Sequence, residues 1–131
     1  MAEHRVILIP AEPDQEIREQ LVPTVQYPAT TELLSHQGTQ IIERVNSDVL
    51  RSLARDGVDI IMVVDEEFLC KPPMPRNQRA EYFYPGGLIL GDVLLVGEKF
   101  FGGDDPGVDF TGLPEHITVA TISSMTSAGK Q

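Results

Sequence analysis

The sequence predicts an α+β fold: a single compact domain, a mostly antiparallel sheet with helices packed on one face. Three observations carry that expectation. Residues 5–9, 58–64 and 88–96 form apolar runs, rich in Val, Ile and Leu, in which both alternating sets are largely apolar. That is the pattern of strands covered on both faces. The stretch before the second run has the punctuation of a helix, opening on Ser47-Asp48 and closing at Gly57. A chain of 131 residues, 41% hydrophobic, argues for one domain with one core.

Taken in order, residues 5–9 are a central strand closed by Pro10. Residues 11–20 carry Glu12, Asp14, Glu16 and Glu19 and read as a solvated connection, although Pro13 would suit a first helical turn. Residues 21–28 hold two prolines and read as a linker or edge strand. Thr30 can cap a short helix running to Gln37, with Leu33 and Leu34 buried and Gly38 ending it. Residues 39–45 fit two templates. Ile41, Ile42 and Val45 match a helix, whereas Ile41, Glu43 and Val45 match one face of a strand. Residues 47–56 make the clearest helix, with an apolar stripe of Val49, Leu50, Leu53 and Ala54 and with Arg51 and Arg55 toward its negative end.

The stretch that organises the chain is 58–80. Its strand is expected to surface at Asp65, because an unpartnered buried carboxylate is costly. Asp65, Glu66 and Glu67 are followed by Pro72, Pro73 and Pro75, which hold the loop extended. Arg76, Asn77 and Arg79 are then expected to fold back onto the carboxylates. That cluster reads either as a structural clasp or as the polar rim of a pocket. Tyr82, Phe83 and Tyr84 form an aromatic turn, Pro85-Gly86-Gly87 a reversal, and Gly91-Asp92 a bend inside the strand 88–96. Residues 97–111 read as a flexible acidic loop carrying Phe100 and Phe101. These two are candidate interaction anchors, or else pack on the sheet. Residues 113–123 fit a helix or a strand. The domain is expected to span 1–123, with 124–131 a disordered tail.

Charge and motif content narrow the function classes. A formal net charge of −10 disfavours nucleic acid and anionic membrane surfaces as partners. No apolar run approaches transmembrane length, no signal peptide is evident, and Cys70 stands alone, so a cytoplasmic setting is expected. His4, His36 and His116 are scattered, and no dinucleotide or phosphate-loop fingerprint is present. No cofactor and no metal site are therefore expected. Asp65, Glu66, Glu67, Glu81 and Asp92 match no ion-binding spacing.

Residues 38–97 resemble a family of small phage and bacterial proteins known only as a domain of unknown function. The resemblance rests on Val64-Asp65-Glu66-Glu67, on Pro75-Arg76-Asn77-Gln78-Arg79-Ala80, and on Leu90-Gly91-Asp92-Val93 with Val96-Gly97. Gly38-Thr39-Gln40-Ile41-Ile42-Glu43 is similar to the family's first strand in a stretched form, which favours strand for that segment. The resemblance implies an α+β domain in a phage or host cytoplasm and assigns no activity. The leading expectation is a non-catalytic, phage-encoded interaction protein that engages a host protein or defence component. The alternative is a binder of a small ligand, a nucleotide or other anionic metabolite, with its pocket at Asp65, Glu66, Asn77 and Arg79 and with Arg76 beside them. A metal-dependent hydrolase ranks last.

Overall fold

The computed structural model describes residues 4–23, 25, 33–34, 37–39, 42–66, 74–101 and 107–128, with the backbone alone at 100–101, 107–109 and 128. The strands are β1 (His4–Ile9), β2 (Arg18–Val22), β3 (Ile42–Val45), β4 (Val58–Asp65), β5 (Val93–Phe101) and β6 (Gly107–Thr111). They form one antiparallel sheet in the order β2-β1-β5-β4-β3. β1 and β6 share one edge of β5, with β1 along Val93, Leu94 and Leu95 and β6 from Gly97 onward. The helices are α1 (Asp48–Arg51), α2 (Gln78–Glu81) and α3 (Val119–Ala128).

The period-two alternation of the strands divides the core in two. Ile7, Ile9, Ile60, Met62, Val64, Val93 and Leu95 face one way and pack with Leu50, Ala80 and Ile122 of the helices and with Phe83 of the turn after α2. Val6, Leu8, Ile61, Val63, Leu94 and Val96 face the other way and are covered by Val25 and Leu34. α1, α2 and α3 thus lie on one face of an antiparallel sheet, as the sequence predicts, whereas Leu33, also helical, packs on the other. On the second face Arg44 of β3 reaches across β4 to Glu98 of β5 as a bidentate pair, with two N–O distances of 2.5 Å.

Several elements differ from the sequence expectation. The helix expected at 47–56 keeps its Ser47 cap but ends after one turn. Asp56 and Gly57 both take positive φ, and a bridge joins Arg55 to Val58. The chain must reverse within these residues to enter β4, and only left-handed backbone does so this tightly. Residues 42–45 are strand, and the edge strand begins at Arg18, earlier than the 21–28 expected. The described part of 97–111 is a hairpin rather than a loop: β5 runs through Phe101 and β6 pairs back upon it. Residues 124–128 are helical rather than disordered, and the helix starts at Val119, with the hydroxyl of Thr118 accepting from the backbone N–H of Thr121. A Thr cap sets that start. Most of the helix expected at 30–37 lies outside the described residues, although Leu34 is fully buried.

Candidate ligand cleft

Strand ends and turns meet where β1 and β4 finish and β5 begins, and the carboxylate and Arg-Asn cluster of the sequence lies here. Its wiring differs from a clasp. Asn77 is fully buried and caps α2, its Oδ1 accepting from the Ala80 N–H at 3.0 Å. Its Nδ2 donates to the carbonyls of Ile9 and Gly91, each at 2.9 Å. Strand-end carbonyls lack a ladder partner, and one side-chain amide satisfies both of these. Backbone bonds from Asn77 N–H to Ile89 O and from Gly91 N–H to Pro75 O, both 2.8 Å, complete the junction. Arg79 donates to the carbonyls of Pro10 and Glu12 at 2.7 and 3.1 Å. Burial pulls its pKa below the ordinary arginine range, against the charges of Asp92 and Asp14.

Arg76 grips Glu81 with three contacts of 2.6–3.0 Å. Its guanidinium, the hydrogen bond first, holds the Glu81 carboxyl below the usual carboxylate range, and the Ile89 N–H adds to this. Asp65 does not surface: it is fully buried and accepts from the Thr39 hydroxyl at 2.8 Å. Glu66 is exposed and makes no hydrogen bond among the described residues. The expected contacts of Asp65 or Glu66 with Asn77 or Arg79 are therefore replaced. Asn77 and Arg79 use their donors on backbone carbonyls, because those groups are the ones left unsatisfied at the sheet end. Glu67 and Cys70 lie outside the described residues, as do the side chains of Phe100 and Phe101.

Beside this junction, on the sheet face opposite α1, α2 and α3, opens a cleft of about 350 Å³. Leu8 of β1 and Leu94 of β5, register partners on that face, form its floor. Leu33 and Met74 contribute apolar walls. Along one flank β2 contributes Arg18 and Gln20, in register with Leu8 and Val6. The turn after β1 adds Glu12 and Gln15. The inner end is closed by Gly91 and Asp92. Gln37 holds that end in place, its Oε1 accepting from the Asp92 N–H at 2.9 Å and its Nε2 donating to the Asp92 carbonyl at 3.4 Å. The Asp92 carboxylate accepts from the Ala11 N–H at 2.8 Å, which pins the turn that carries Glu12. Gly91 takes φ +81°, and a Cβ there would meet Gln37 and Met74 at 3.0 Å.

Asp65, Glu66 and Asn77 are not among the residues lining this cleft, and Arg76 and Arg79 line a smaller neighbouring depression instead. Sequence reasoning missed Arg18, Gln20 and Gln15. Their only local signal is polar alternation beside an apolar strand, which a solvated connection also produces. Among the described residues no three His, Cys, Asp or Glu side chains cluster as metal ligands. Among the described residues no helix is long and apolar enough to cross a membrane. Comparison with protein-family models, curated proteins and solved structures finds no match.

Proposed function

We propose that this chain is a non-catalytic binding protein for a small ligand with an apolar body and an anionic end, held in the cleft over Leu8 and Leu94. One observation carries the reading. Arg18 presents a guanidinium beside an apolar floor, and that guanidinium has no hydrogen bond or ion pair among the described residues. The other arginines nearby are committed: Arg5 to Glu19, Arg76 to Glu81 and Arg79 to backbone carbonyls. A planar, permanently charged fork suits a carboxylate or phosphate oxygen pair. A concave site with an apolar lining and a few placed polar groups is the usual form of a small-molecule site, and its volume lies at the lower end of that class. The polar groups at the sheet junction are consumed in holding the fold, which leaves them stabilising the site rather than reacting in it.

The test is a titration with hexanoate, which joins an unbranched apolar chain to a carboxylate. Binding is expected at roughly 1–20 mM, the range open to so small a ligand. Arg18→Gln is expected to weaken it about fivefold or more, as loss of a charge-assisted contact requires. Equal binding by both proteins, or none by the native chain, would overturn the reading.

A further inference from the structure

The cleft carries a second uncommitted charge. Glu12 lines it from the turn after β1, and its carboxylate, like the Arg18 guanidinium, has no hydrogen bond or ion pair among the described residues. The backbone of Glu12 is nonetheless fixed. Its carbonyl accepts from Arg79 at 3.1 Å and from the Gln15 N–H at 3.1 Å, and the neighbouring Ala11 N–H is tied to Asp92. A carboxylate on an anchored turn and a guanidinium on a strand flank therefore border one apolar floor without pairing to each other. Gln15 and Gln20 add amides able to donate and to accept.

Resting on the reading of the cleft as a ligand site, we infer that its ligand is a zwitterion, an apolar α-amino acid or short peptide. Its carboxylate lies at Arg18, its ammonium at Glu12 and its side chain over Leu8 and Leu94. Opposite fixed charges on one rim favour a ligand bearing both signs over one bearing a single sign, since each lone charge leaves the other rim charge unmatched. A simple anion meets attraction at Arg18 and repulsion at Glu12. An added ammonium turns the repulsive contact into an attractive one.

Norleucine, which is hexanoate with an α-ammonium group, is the probe. The two are titrated in parallel against the native chain and against Glu12→Gln. Glu12 is exposed, so this variant is expected to keep the native fold. Norleucine is expected to bind the native chain about fivefold or more tighter than hexanoate, the scale of one charge-assisted contact. Glu12→Gln is expected to bring the two probes to similar affinity. Hexanoate binding with no advantage for norleucine would overturn the zwitterion inference and leave the cleft standing as a ligand site. A norleucine advantage that persists in Glu12→Gln would also overturn it, because the ammonium would then sit elsewhere. Binding of neither probe would overturn both readings.

Discussion

Replacing Asn77 by alanine removes three hydrogen bonds from a fully buried position. Loss of the cap on α2 costs about 1 kcal/mol. The carbonyls of Ile9 and Gly91 each lose a donor at a buried junction, at about 1–1.5 kcal/mol apiece. The sum is about 3–4 kcal/mol, a large share of the roughly 5–15 kcal/mol that holds a domain of this size together. At about 3–5 °C per kcal/mol the midpoint of thermal unfolding should fall by roughly 10–20 °C. Asn77→Ser separates the contributions. Its hydroxyl keeps the cap but is too short to reach both carbonyls, so it should recover about 1 kcal/mol of the loss. Thermal and urea unfolding followed by circular dichroism measure both variants. A midpoint within a few degrees of the native value for Asn77→Ala would refute the assignment of Asn77 as the joint between β1, α2 and the turn before β5.

Arg44→Met should cost about 2–3 kcal/mol in urea unfolding, because it leaves the Glu98 carboxylate buried without its partner. Arg44→Met combined with Glu98→Met should recover much of that loss. The Glu81 carboxyl, whose pKa is lowered chiefly by its hydrogen bond to Arg76, stabilises the fold above its unfolded pKa and loses that contribution as pH falls through its lower folded value. Glu81→Gln should therefore melt below the native chain at pH 7, and the gap should close as pH drops below about 4. An unchanging gap across that window would show that the Arg76 contact adds nothing through charge.

The sheet was largely legible because its strands state themselves locally. Residues 5–9 and 58–64 are apolar at both alternating sets, and only a strand covered on both faces accepts that. The Ser47 cap was legible for the same reason, since it acts within one helical turn. What the sequence hid is everything decided by distant pairing. The burial of Asp65 depends on Thr39, 26 residues earlier, so the carboxylate that should have surfaced is satisfied inside. Asn77 was singled out, but its partners are carbonyls of Ile9 and Gly91 that only the meeting of β1 with β5 brings together. Three carboxylates followed by Arg-Asn suggested charge pairing, whereas unsatisfied backbone at the sheet end competed for those donors and won. The cleft was invisible for a related reason. Leu8, Arg18 and Leu94 belong to three strands and share a face only through their registers.

The most direct test of the cleft uses its own methyl groups. Leu8, Leu33, Leu94 and Met74 all border it, and selective methyl labelling makes each of them visible by nuclear magnetic resonance. Hexanoate and norleucine should each shift the methyl signals of these four residues in a saturable way, and should leave those of Leu50, Leu95 and Met62 on the opposite face unmoved. Shifts that map to the opposite face, or to the Tyr84 and Leu88 surface, with the methyls of these four residues unmoved, would contradict the placement of the site over Leu8 and Leu94.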